Sequence, residues 1–103
     1  MVCKKKNPSL QTKVKGLYEH NGWNTDPTLL LLAMQEELGE LAARWLAEHP
    51  GYEKSLKDTD PVPEEIGDLL QLALAFCNTQ NINFEECVEA TIEKRWKKKK
   101  KKG

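Results

Sequence analysis

Long apolar runs are missing from this chain. Nothing in it approaches the roughly 20 residues that a membrane-spanning helix needs, which excludes a transmembrane protein. Lys4, Lys5 and Lys6 lead straight into polar Asn7, Pro8 and Ser9, so the charged–apolar–small order of a secretory signal is also missing. Cysteine is scarce. Cys3, Cys77 and Cys87 are odd in number, lack CxxC spacing and have no histidine close enough for a zinc knuckle. Cys77 and Cys87 fall in apolar helical runs and read as reduced core thiols, which points to a cytoplasmic protein.

Net charge is missing too, but only on average. The 103 residues hold 16 basic and 16 acidic side chains. Residues 1–15 carry five lysines and no acid, and residues 94–103 carry eight basic groups and no acid. All 16 acids therefore lie in residues 16–93 beside only Arg44, Lys54 and Lys57, a net charge of −13. An acidic body sits between basic ends. The length suits one domain. A chain this short buries only about two-thirds of its unfolded surface, so oligomerisation is expected.

Four helices and no strand are predicted. The first opens at Asn7-Pro8, a cap residue followed by proline at the first helical position, and runs to about His20. Leu10, Val14, Leu17 and Tyr18 recur in it at helical spacing, and Asn21-Gly22 stops it. The second opens in the same way at Asp26-Pro27 and continues to about Glu48, before His49-Pro50-Gly51. A polar connection spans about 51–59. The third begins near Asp60-Pro61-Val62-Pro63 and extends to about Asn78. Its stretch from Ile66 to Cys77 is apolar around nearly the whole circumference, the pattern of a helix buried on all sides. Three short helices from the same chain are too few to cover it, so a second subunit is expected there. The fourth begins at Asn83, with Glu86 in capping-box spacing and Phe84, Val88, Ile92 and Trp96 as its apolar positions. The chain thus divides into a flexible basic N-terminus (1–7), a helical domain (8–96) and a lysine tail (97–103) expected to be disordered.

One hexapeptide occurs twice. Glu36-Glu37-Leu38-Gly39-Glu40-Leu41 returns 28 residues later as Glu64-Glu65-Ile66-Gly67-Asp68-Leu69, once on the second helix and once on the third. With Glu37 at 0° on a helical wheel, Glu40 falls at about −60° and Leu41 at about +40°. Met34, Leu38 and Trp45 lie at about +60° to +100°, so Trp45 reads as a core residue. Glu65, Asp68 and Leu69 superimpose on Glu37, Glu40 and Leu41. Each helix therefore carries a carboxylate pair one turn apart, along the edge of an apolar stripe. Glu36 and Glu64 point towards solvent. Antiparallel packing would set the four carboxylates face to face. Glycine inside a helix costs about 1 kcal/mol against alanine, and Gly39 and Gly67 occupy matching places, so a close helix approach is expected there.

Four carboxylates at an apolar margin must protonate or find a cation. Three basic side chains in the central segment are too few to neutralise them. A hard divalent cation with oxygen ligands answers the need, with Mg²⁺ favoured where phosphates share the ion. The histidines that di-iron bundles add at i+3 are missing, which argues for Mg²⁺ or Mn²⁺.

At these residues the sequence resembles the MazG-like, all-α nucleoside triphosphate pyrophosphohydrolases, a superfamily that also holds dimeric dUTPases, dCTP pyrophosphatases and phosphoribosyl-ATP pyrophosphohydrolases. The signature is ExxE, a gap, then ExxD. Here it reads Glu37-x-x-Glu40, 24 intervening residues, then Glu65-x-x-Asp68. The likeness continues through Leu29–Leu41 and Asn81-Ile82-Asn83-Phe84-Glu85, covering roughly residues 8–95. It implies an all-α, four-helix bundle-like protomer that assembles through its third helix into a dimer or tetramer. It also implies Mg²⁺-dependent hydrolysis of a nucleoside triphosphate to monophosphate and pyrophosphate, in a house-cleaning role. By the resemblance Glu37, Glu40, Glu65 and Asp68 hold metal, and Glu37 or Glu40 is the general base. Lys94 matches a family lysine in the last helix. The family's following Asn and Arg are replaced by Arg95-Trp96 and lysines, so Arg95 or a neighbouring subunit would complete phosphate recognition. Trp23 resembles a base-contacting tryptophan of dCTPase-like members, offset by about two residues.

Two other classes stand beside the enzyme. A non-catalytic helical module would keep the fold and bind metal or nucleotide without turnover. A nucleic-acid handle in the lysine run is disfavoured by the acidic body and by the want of interleaved aromatics.

Overall fold

The computed structural model describes residues 9–51 and 60–102, with side chains as far as Lys97. Among them the chain is all α: α1 (Leu10–Asn21), α2 (Pro27–Leu46), α3 (Val62–Thr79) and α4 (Phe84–Lys102). Local chemistry sets most of the boundaries. The Asp26 carboxylate accepts the Thr28 and Leu29 N–H groups at 2.8 and 3.3 Å, and Pro27 follows it in the first turn of α2. Asn83 caps α4 by accepting the Glu86 N–H at 2.9 Å. Gly22, at φ 64°, takes the left-handed conformation that closes α1, while the Trp23 N–H reaches the Tyr18 carbonyl at 3.0 Å. At the end of α3, Asn81 turns the chain at φ 56°, a conformation asparagine tolerates better than most side chains.

Two boundaries differ from the sequence pattern. The cap of α1 is Ser9, whose hydroxyl accepts the Thr12 N–H at 3.1 Å. Asn7 and Pro8, where a start was expected, lie outside the described residues, as do 52–59 of the polar connection. The second difference is in α4. Its backbone stays helical through Lys102, past residue 96, where the sequence pattern ended the folded domain. Lysine is a good helix former, and extending an existing helix carries no nucleation penalty.

The core lies where α1 and α2 meet α3. Val14, Tyr18, Leu30, Leu72, Leu74 and Ala75 form one buried cluster, with Ala33, Met34, Phe76 and Phe84 packed against it. Tyr18 donates its hydroxyl to Gln71 at 3.0 Å, which satisfies the polar end of a buried ring. Gln11 binds the α3–α4 turn to α1. It donates to the Asn78 side chain and the Ile82 carbonyl, and it accepts the Phe84 N–H. Because Leu30 packs at the C-terminal half of α3 and Glu37 lies near its first turns, α2 and α3 run antiparallel.

This core is small, and α3 is not enclosed within the protomer. Leu29, Leu31, Leu32, Leu38, Trp45, Leu46, Ile66 and Leu70 remain 39–55% exposed along α2 and α3. Trp45, expected in the core, is among them, its ring tilted against His49 at 5.6 Å. The wheel grouped it with Met34 and Leu38, but of the three only Met34 packs against the core, while Leu38 and Trp45 are each 54% exposed. The close approach expected at Gly39 and Gly67 is also not found within the protomer, since a Cβ added at either would meet nothing within 4 Å.

Candidate metal and nucleotide site

The two hexapeptides meet where α2 and α3 pair. Carboxylate oxygens of Glu37, Glu65 and Asp68 all lie within 4.8 Å of one another. Glu65 is 1% exposed, the most deeply buried polar side chain described. It enters the protein one turn into α3, where the Pro61 carbonyl receives the Glu64 and Glu65 N–H groups and starts the helix. Glu65 Oε2 accepts the Asp60 N–H at 2.9 Å, whereas its Oε1 is buried with no hydrogen-bond partner. Glu37 is half-buried, and its Oε1 is likewise buried and unpartnered. Two orphaned carboxylate oxygens facing a third acid make an arrangement that only a proton or a cation satisfies.

Electrostatics points the same way. Burial, and then the charges of Glu40, Asp68 and Glu65, push the Glu37 carboxyl up to about 7. The Glu40 carboxyl is raised by desolvation and by the charges of Glu65, Glu36, Asp60 and Asp68. Among the described residues no lysine or arginine pairs with these acids, and Arg44 leans instead towards Glu48 at 3.9 Å. The oxygen-only donor set, the orphaned atoms and the uncompensated charge all fit a hard divalent cation. Glu37, Glu65 and Asp68 are the residues that could hold it.

Of the four predicted metal acids, the structure therefore gathers three. Glu40 stands one turn further along α2, close enough to feel Glu65 and Asp68 but outside the 4.8 Å group. Glu36 and Glu64 are exposed, as the wheel placed them. Sequence reasoning missed Asp60, which fixes Glu65 through its backbone and presses on Glu40 through its charge. Its place before Pro61-Val62-Pro63, five residues ahead of Glu65, was the available signal.

The residues predicted for the nucleotide stand apart from the acids. Trp23 is 49% exposed and meets Tyr18 edge-to-face at 5.2 Å. Together they border a cavity of about 400 Å³ that Lys15, Ala75, Asn78 and Thr79 also line. Lys94 and Arg95 are exposed on α4 and make no ion pair among the described residues. No described helix is long and apolar enough to cross a membrane.

No curated protein and no solved structure matches the chain. The family model of the MazG nucleotide pyrophosphohydrolase domain matches residues 25–102, a span that takes in both carboxylate pairs and all of α2, α3 and α4. With a match over most of its length, the chain belongs to the MazG nucleotide pyrophosphohydrolase family.

Proposed function

We propose that the protein is a Mg²⁺-dependent nucleoside triphosphate pyrophosphohydrolase, converting a (d)NTP and water to the (d)NMP and pyrophosphate. The reading places it in the cytoplasm, in a house-cleaning role in the nucleotide pool. The observation that carries it is the buried, partnerless carboxylate pair of Glu37 and Glu65 beside Asp68. Glu37, Glu65 and Asp68 hold the ion, with Glu40 as a fourth acid next to them. Mn²⁺ is the alternative occupant. A bound ion supplies neutralisation of phosphate charge and a lowered pKa for water.

The chain's own groups supply the rest. Water attacks the α-phosphorus, the bond from that phosphorus to the bridging oxygen breaks, and pyrophosphate leaves. Glu37 or Glu40 takes the water's proton as general base. Lys94 and Arg95 contact the phosphates, and Trp23 stacks on the base. The exposed apolar faces of α2 and α3 support assembly into a homodimer or homotetramer, which would enclose the third helix.

A panel of ribo- and deoxyribonucleoside triphosphates with Mg²⁺, read by pyrophosphate release, tests the proposal. Hydrolysis of at least one nucleotide is expected, abolished by EDTA and by Asp68→Asn. No release from any nucleotide, together with tight nucleotide binding in calorimetry, would favour the non-catalytic module. Release unaffected by Glu37→Gln and Asp68→Asn would move the chemistry elsewhere.

A further inference from the structure

Six of the protein's cations have no part in the hydrolase reading. Lys97 to Lys102 follow Lys94 and Arg95, which that reading gives to the substrate's phosphates. From sequence alone the run adjoins an acidic body and is a poor candidate for binding a polyanion. The fold changes that. Among the described residues, α4 is held to the body at its first turn, where Phe84 packs on the core and Gln11 accepts its N–H at 2.7 Å. From Glu85 to Lys97 every residue is exposed, and the backbone remains helical through Lys102. A helix rises about 1.5 Å per residue, so Lys102 stands roughly 13 Å beyond Glu93, the last acid of the chain. The Debye length is about 8 Å at physiological ionic strength, so the far lysines are largely screened from the acids of their own helix.

Register supplies the shape. Six consecutive positions at about 100° steps surround the helix axis, and no side of the tail lacks a lysine position. A flat lipid surface faces only one side of such a rod. A flexible strand of phosphates can wind around it and reach all six. Like charges three and four residues apart also destabilise a helix, and a bound polyanion relieves that repulsion. An aromatic ring stands at the base of the run. Trp96 is 67% exposed, beside a groove of about 320 Å³ that Thr91 and Ile92 also line. Positions 99 and 100 follow three and four residues later, on the same face of the helix. Neither the core nor the acid cluster uses that ring.

We propose that the basic end of α4 binds single-stranded nucleic acid, with Lys97 to Lys102 along the phosphates and Trp96 stacked on a base. A ring that accepts any base face, next to cations that follow the backbone, is the combination that binds single strands without regard to sequence. A duplex would satisfy the lysines but offers the ring no unpaired base. None of these residues belongs to the acid cluster or to the substrate's phosphate contacts, so the proposal stands or falls independently of hydrolysis.

Anisotropy of a labelled, short, mixed-sequence DNA strand tests it, with the full chain in EDTA so that no metal bridges the strand to the acids. Binding is expected at low salt. Plotted against log salt, log K should fall with a slope of about −4, or about 0.7 for each of six neutralised phosphates. Replacing Lys97 to Lys102 by Gln keeps good helix formers in place and should remove both the binding and the slope. Trp96→Ala should weaken the strand complex about tenfold, within the range of one lost base–ring stack, and leave binding to a duplex of the same length unchanged. Trp96→Phe should keep most of the affinity. Each change lies beyond the packed part of α4, so the fold should survive it. Strand binding that persists after the glutamine replacements would overturn the proposal. So would a Trp96→Ala chain that loses strand and duplex equally, or loses neither. Tighter retention on phosphatidylserine vesicles than on the strand at equal salt would assign the run to a lipid surface instead.

Discussion

Two regions of the same helix pair are built on opposite terms. Near α1, α3 buries Leu72, Leu74 and Ala75 against Leu30, Val14 and Tyr18, with every polar atom on Tyr18 satisfied. Within the two turns before Leu72, the same helix turns Glu65 and Asp68 towards Glu37, and two carboxylate oxygens are left buried without partners. The first region gains free energy from removing apolar surface from water. The second loses it, because a desolvated acid without a proton or cation is unfavourable. A protein does not keep such a cluster for stability, and the contrast lets stability and function be perturbed separately along one helix.

The largest expected effect belongs to the acid end. Asp68→Asn removes one charge of the acid cluster while preserving shape, and on the proposed metal role pyrophosphate release should fall by at least about 100-fold, since losing even an outer-shell partner of a metal ligand costs up to that. Thermal unfolding of the metal-free variant should not fall with it and should rise at neutral pH, because one repelling charge has gone. A parallel loss of activity and stability would mean that the acids are structural.

Leu72→Ala should show the reverse. Deleting a buried leucine costs about 2–5 kcal/mol, a large share of the stability of a small domain, as denaturant unfolding would report. The same truncation at Ile92, 51% exposed, should change protomer stability by less than about 0.5 kcal/mol.

How far each region was legible follows from the same contrast. Caps that depend on neighbouring atoms were readable: Asp26 before Pro27, and Asn83 before Glu86, hold the helices that their sequence announces. The repeated acids were readable because two helical wheels superimpose without knowledge of the packing. The start of α1 was less so, because Asn7-Pro8 and Ser9 are competing signals two residues apart, and the Ser9–Thr12 bond appears only in three dimensions. Trp45 failed for a deeper reason. A wheel reveals that a face is apolar but not whether the covering surface comes from the same chain. Asp60 escaped because its backbone, not its side chain, holds Glu65.

Acid titration gives a subtler way to separate the regions. The Glu37 carboxyl is raised from an ordinary 4.5 to about 7. Between those values the folded chain holds a proton that the unfolded chain has released, so metal-free stability should decline as pH rises from about 5 to 7 and level off above. Glu40, raised in the same direction, adds to the slope. Melting temperatures across that range should fall in EDTA and fall less with Mg²⁺, whose binding displaces the proton. Glu37→Gln should flatten the metal-free curve. A curve that rises with pH in EDTA would contradict the cluster as drawn, whereas Leu72→Ala should lower the whole curve without changing its slope.

A smaller effect than those of the acids or the core concerns the matched glycines. Gly39 and Gly67 lie in helix interiors, and a Cβ at either meets nothing within 4 Å of the protomer. For an isolated protomer, Gly39→Ala and Gly67→Ala should therefore each stabilise by about 0.5–1 kcal/mol, through the lower backbone entropy of the unfolded chain. Assembly through the exposed faces of α2 and α3 changes that expectation, because a neighbouring backbone seated against either glycine would be pushed away by a methyl group. Measuring melting temperature and sedimenting mass on the same variants distinguishes the two. Stabilisation with unchanged mass would mean that these glycines sit on open surface. A reduced mass, with the protomer itself still folded, would place them under a second subunit, and the penalty that each helix carries in duplicate would then belong to the interface rather than to the acid site beside it.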